Sequence, residues 1–171
     1  MGKSTKQILE IVIDRLSNKY TKRLKVFIGY SYDIDIIKNK LPNEFSTAFY
    51  NTPDKLNWLH EFNNWRLKHT PTKYWVSKIK TWKVPRAFYR PIGWIFLSNT
   101  LSQETDLTKT HIILHEIGHH AQFLKTISTI RCDKLFKQYG YDSLIYQMEA
   151  EKSAEKFATR WTRILEKEKL I

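Results

Sequence analysis

Residues 111–124 read His111-Ile112-Ile113-Leu114-His115-Glu116-Ile117-Gly118-His119-His120-Ala121-Gln122-Phe123-Leu124. Ile113, Ile117 and Leu124 recur at helical spacing, so one face of a helix is expected to enter a core. His115 and His119 fall one turn apart on the opposite face. Two imidazoles on adjacent turns can grip one metal ion, with Zn–N near 2.0–2.1 Å. Glu116 is turned about 100° from His115. It therefore stands beside such an ion, where a carboxylate can take a proton from an activated water. Gly118 is expected to leave room on the helix face next to the metal. This short pattern also turns up by chance in unrelated helices, so its surroundings decide what it means.

Asp106 is a suitable N-cap for this helix, expected over about Leu107 to Lys125. A short helix follows from Ile130 to Tyr139, stopped by Gly140. Asp142 or Ser143 then caps a long last helix reaching about Lys167. Upstream, Ile8, Leu9, Val12, Ile13 and Leu16 predict an amphipathic helix over Gln7 to Tyr20. Leu24 to Ile28 reads as a strand ended by Gly29. A helix is expected from Asp54 to about Leu67, a strand over Tyr74 to Lys83, and a short strand over Gly93 to Ser98. No repeat or linker divides the chain. The expectation is an α+β fold in one domain, residues 1–171, with a short mixed sheet and a site on its later helices.

A catalytic zinc takes three protein ligands and keeps a fourth position open. The last helix offers Glu149, Glu151 and Glu155. Leu144, Met148, Ala154, Ala158, Trp161 and Leu165 are expected to form its apolar face. Glu151 falls inside that face, Glu155 at its edge and Glu149 opposite. A carboxylate on a buried face needs a cation, which selects Glu151 as the third ligand. Glu155, one turn on, is placed to accept the free N–H of a ligand histidine and fix its tautomer. Its bland alternative is a helix acid paired with Lys152. His111 and His120 are expected to serve packing, with a wall of the site or a surrogate ligand as the alternatives for His111. His60 and His69 are expected at the surface.

Lys and Arg total 29 against 17 acids, a net charge of +12. No acid occurs between Glu61 and Glu104. Lys73, Lys78, Lys80, Lys83, Arg86 and Arg90 lie in this stretch, interleaved with Tyr74, Trp75, Trp82, Phe88, Tyr89 and Trp94. Such a mixture can contact phosphates and stack on bases, or it can be a solvated basic face backed by buried rings. Cys132 is the only cysteine, Met1 to Lys6 lack the apolar core of a secretory signal, and no run of about 18 apolar residues occurs. These features predict a cytoplasmic protein that does not enter a membrane.

His115-Glu116-Ile117-Gly118-His119, followed by Glu151-Lys152-Ser153-Ala154-Glu155-Lys156-Phe157-Ala158, resembles the gluzincin zinc metallopeptidases. The rhythm of the second motif is most similar to the ImmA/IrrE-like branch and the minigluzincins. The resemblance spans roughly Gly93 to Ala158. It implies zinc on His115, His119 and Glu151, with Glu116 as catalytic base in peptide hydrolysis. It also implies a zincin-like fold in which Trp94, Ile95, Phe96 and Leu97 form an edge strand that pairs with an extended protein or peptide substrate. Glu155 departs from the Asn or Asp common in that branch. The residue stabilising the tetrahedral intermediate is open among Tyr139, Tyr141 and Tyr146. SprT-like proteases act near DNA but use a third histidine, and none follows His120. The competing expectation is a nucleic-acid-binding or structural protein with a non-catalytic metal site.

Overall fold

The computed structural model describes residues 2–29, 48–51, 73–76, 93–140 and 143–171. The helix expected over Asp54 to Leu67, together with His60 and His69, lies outside them. Helix predominates among the described residues, and four short strands pair into a sheet.

Helix α1 (Thr5–Arg15) opens with a reciprocal cap. The Gln7 amide donates to Ser4 Oγ at 3.2 Å, and the Ser4 amide donates to Gln7 Oε1 at 2.8 Å. This satisfies two donors that a helix start leaves without partners. The helix expected to run on to Tyr20 instead breaks at Leu16, whose backbone is extended, and a single turn, α2 (Asn18–Thr21), follows. The break falls at Ser17 and Asn18, both weaker helix formers than Arg15 and Leu16 before them.

Strands β1 (Leu24–Gly29), β2 (Ala48–Asn51), β3 (Lys73–Val76) and β4 (Gly93–Ser98) lie in the order β2-β4-β1-β3. β1 runs parallel to β4, with Val26 opposite Ile95, and antiparallel to β3. β2 runs antiparallel to β4, with Tyr50 opposite Ile95. The expectation that Trp94 to Leu97 form an edge strand is therefore corrected. β4 spends both backbone edges on β1 and β2, and no row of free N–H and C=O groups remains on it for an added strand. The edges of the described sheet are β2 and β3. Of the strand expected over Tyr74 to Lys83, the part beyond Val76 lies outside the described residues.

Leu24, Val26, Ile95 and Leu97 are buried and share one sheet face, as alternation along a strand requires. They join Ile8, Leu9 and Val12 of α1 and Ile113, Leu114 and Ile117 of helix α3 (Asp106–Phe123) in one apolar cluster. A 3-10 turn (Asn99–Gln103) delivers the chain from β4 towards α3 and buries Leu101. Helix α4 (Ile130–Tyr139) ends at Gly140, whose φ of 82° suits glycine. Helix α5 (Leu144–Lys167) is capped by Ser143, whose Oγ accepts from the Tyr146 amide at 3.2 Å.

The cap of α3 is Thr105 rather than Asp106: Thr105 Oγ1 accepts from the Thr108 amide at 3.1 Å. Asp106 turns its carboxylate to the Lys3 amide, at 2.9 and 3.1 Å, and to Lys109 Nζ at 3.0 Å. Lys109 is buried and also donates to the Lys3 carbonyl. The start of the chain is thus pinned to the start of α3.

Candidate metal centre

α3 and α5 pack along their lengths and run antiparallel. Contacts pair Gln122 with Ala150, His119 with Glu151, Gly118 with Ala154 and His115 with Glu155, one sequence rising as the other falls. Gly118 is the point of closest approach. A Cβ there would lie 3.0 Å from Ala154 Cα and 3.2 Å from the Ala154 carbonyl oxygen. The reading that Gly118 opens space beside the metal is corrected: its missing side chain lets α5 come in, and Glu151 lies one turn before Ala154.

His115, His119 and Glu151 converge, with one ligand atom of each within 4.8 Å of the others. His115 Nε2 lies 3.0 Å from Glu151 Oε2, His119 Nε2 lies 3.2 Å from Glu151 Oε1, and the two Nε2 atoms are 3.2 Å apart. A tetrahedral ion with ligands at about 2.0–2.1 Å separates its ligand atoms by roughly 3.3 Å. The triangle is thus close to the size that such an ion requires, and the His-His-Glu set is able to hold a metal ion.

Electrostatics point the same way. Burial opposes charge on both rings, but hydrogen bonding to Glu151 and the fields of Glu116 and Glu151 outweigh it. Both histidines are held above their ordinary value. The hydrogen bonds from His115 and His119 hold Glu151 well below the usual carboxylate range. The cluster therefore favours positive charge at its centre, whether it comes from protons or from a metal ion.

Glu116 is buried beside the ligands at 8% exposure, and burial pushes its carboxyl above the usual range. Glu155 receives a hydrogen bond from His111 Nε2 at 2.8 Å and faces His115 Nδ1 at 3.3 Å. Burial acts upward on Glu155, but the hydrogen bond from His111 and the two ring charges bring it below its ordinary value. A carboxylate only accepts, so His115 Nδ1–H donates to Glu155, while Nε2 is the nitrogen that faces Glu151 and His119. Glu155 thus touches a ligand histidine as expected. His111 meets the site through Glu155 instead of serving packing alone.

Glu151 does lie against both histidines, but burial is not what distinguishes it. Its side chain is 61% exposed, while that of Glu149 is 20% exposed and lies 3.4 Å from Arg131. The buried side of α5 is Ala154, Phe157, Ala158, Thr162 and Leu165, whereas Leu144 and Met148 are largely exposed. Reach across to two histidines, not burial, distinguishes Glu151. His120 is fully buried, as packing predicted, and its Nε2 donates to the Lys22 carbonyl at 2.8 Å.

Sequence reasoning missed Gln122. Its Nε2 donates to the Ala150 carbonyl at 2.6 Å, and its Oε1 lies 3.2 Å from His119 Nδ1. Its place three residues after a ligand was the one available signal. Tyr146 stacks edge-on against Phe136 and Tyr139 is half exposed, while Tyr141 lies outside the described residues. Of the candidate nucleic-acid contacts, Lys73 opens β3, and Lys78, Lys80, Lys83, Arg86 and Arg90 lie outside. No helix among the described residues is long and apolar enough to cross a membrane. Comparison with protein-family models, characterised sequences and solved structures gave no match.

Proposed function

We propose that the protein is a zinc-dependent peptidase of the gluzincin type with a zincin-like fold. The single observation that carries this reading is Glu116, a buried carboxylate on the same helix as two histidines that converge with Glu151. A His-His-Glu set suits zinc, which when bound there would act as a Lewis acid with an open position.

The remaining chemistry belongs to the chain. His115, His119 and Glu151 would hold the ion from two helices. Glu155 keeps the His115 ring turned so that Nε2 faces inward. Glu116 does not join the ligand triangle, and its carboxylate is free to accept a proton from the attacking water and deliver it to the leaving amine nitrogen. Burial of Glu116 raises its basicity, which suits that exchange near neutral pH. An extended peptide would pair with an open strand edge near α3, and β2, which packs against α3, is the better candidate than β4.

A purely structural metal site is less well supported. Such sites are usually closed by four protein ligands and have no use for a buried base, and the cluster among the described residues has three. The test is Glu116→Gln in the full chain with an unfolded protein as substrate. Zinc should stay bound while cleavage falls by about 10²–10⁴-fold. Cleavage that survives unchanged would sink the assignment.

A further inference from the structure

We propose that the outer face of α5 is a docking strip for duplex nucleic acid, held through its phosphates. The strip is built from residues that take no part in the metal centre, and it is independent of the peptidase reading.

The spacing of one helix lays it out. Lys152, Lys156, Arg160, Arg163 and Lys167 follow one another at intervals of four, four, three and four residues. At about 100° and about 1.5 Å per residue, they fall within an arc of roughly 80° and span about 22 Å. All five are exposed. The arc lies opposite Ala154, Ala158 and Leu165, which are buried in the core. It is also turned away from the side on which Glu151 meets His115 and His119, which separates it from any substrate at the metal centre.

The acids of α5 do not neutralise this row. Glu149 pairs with Arg131, Glu151 with the two histidines, Glu155 with His111, and Glu168 with Arg15. Glu166 stands at the margin of the arc. Among the described residues none of the five cations makes an ion pair. A solvated helix face is supported by opposite charges four residues apart. Here Lys152 and Lys156, Lys156 and Arg160, and Arg163 and Lys167 are like charges at that spacing, so the row works against its own helix. A polyanion laid along it would relieve that repulsion.

Two features select a duplex. α5 has spent its apolar face on the core, so it lacks the free apolar side with which a helix lies in a membrane surface. A duplex presents one phosphate charge per about 1.7 Å of axis, so a rigid row of about 22 Å meets several at once. No Asn or Gln, the amides that read adenine, lies in the arc. Phosphate contact therefore dominates, and unrelated sequences should bind alike.

The test is fluorescence anisotropy of the full chain with two labelled duplexes of unrelated sequence, between about 50 and 200 mM salt. With about five phosphates contacted, affinity should fall by about 10²–10³-fold over that range. The triple replacement Lys156→Gln, Arg160→Gln and Arg163→Gln keeps good helix formers. It should reduce the slope of log affinity against log salt by about 2.7, roughly 0.9 per contact, for both duplexes. Zinc binding should not change. A control triple, Lys6→Gln, Lys19→Gln and Lys22→Gln, removes the same charge elsewhere and should leave the slope in place. The single Arg160→Gln, with a drop of about 0.9, carries the test if the α5 triple fails to fold. No duplex binding at the lower salt overturns the proposal. So does an undiminished slope in the α5 variants, or an equal drop in the control. Binding to phosphatidylserine vesicles that needs the strip, without duplex binding, would assign it to a membrane and also overturn it.

Discussion

His119 and His120 are neighbours in sequence and opposites in circumstance. His119 faces α5, meets Glu151 and Gln122, and is held above its ordinary pKa. His120 faces the core, donates to the Lys22 carbonyl, and is pushed down to about 4, mainly by burial. The two histidines differ in what lies across from them, not in residue type. A carboxylate opposite turns one histidine into a site for positive charge. A carbonyl in an apolar setting turns the next into a neutral structural pin.

Substitution should separate the two roles. His119→Ala removes a ligand and should weaken zinc binding by more than the roughly 10–100-fold typical of residues that merely support ligands. His120→Ala should leave zinc affinity within a few-fold but lower stability by about 2–4 kcal/mol, through a cavity and an unpaired carbonyl. Calorimetric zinc titration with urea melts of both variants checks this; equal loss of zinc would erase the distinction.

The pH response should follow the same division. His120 has a folded value of about 4 against 6.5 for the free side chain. The unfolded chain therefore binds the extra proton first, and this group reduces stability as pH falls from about 6.5 to 4. It has no effect above that window. The full loss is on the order of 3 kcal/mol. Urea midpoints at pH 7 and pH 5 should fall further for the wild type than for His120→Gln, which keeps a donor but cannot titrate. Parallel midpoints would contradict the assignment.

Gly118→Val probes the contact that brings the faces together. The added Cβ would meet Ala154 backbone, not a flexible side chain tip. A stability loss of about 1–3 kcal/mol is expected, with weaker zinc binding because α5 carries Glu151. Loss of stability with undiminished zinc affinity would show that the approach does not govern the ligand. The smallest effect should come from Glu155→Gln, which still offers an oxygen to His115 Nδ1 but not a carboxylate. About tenfold weaker zinc binding is expected, near the lower end of the range for such partners.

How far each feature could be read from sequence depends on how local it is. His115, Glu116 and His119 are related by one helical turn, so their spacing already fixes their geometry. The starts and stops of α4 and α5 are likewise local matters of Ser143 and Gly140. Glu151 was legible only through motif resemblance, because the burial argument for it assumed that Leu144 and Met148 lie inward, and both are exposed. β4 looked like an edge because strand order depends on partners far along the chain. Gly118 looked like space for a ligand because Ala154, which fills that space, lies on another helix.

Sequence alone determined that one helix would carry two imidazoles and a carboxylate on fixed bearings, since 3.6 residues per turn leaves little freedom. Tertiary structure decided the rest: which of three glutamates meets both rings, which strands edge the described sheet, and that Gln122 links α3 to α5. These depend on where backbone atoms of one element meet side chains of another, such as Ala150 against Gln122 and Ala154 against Gly118. No periodicity within a single segment encodes that meeting.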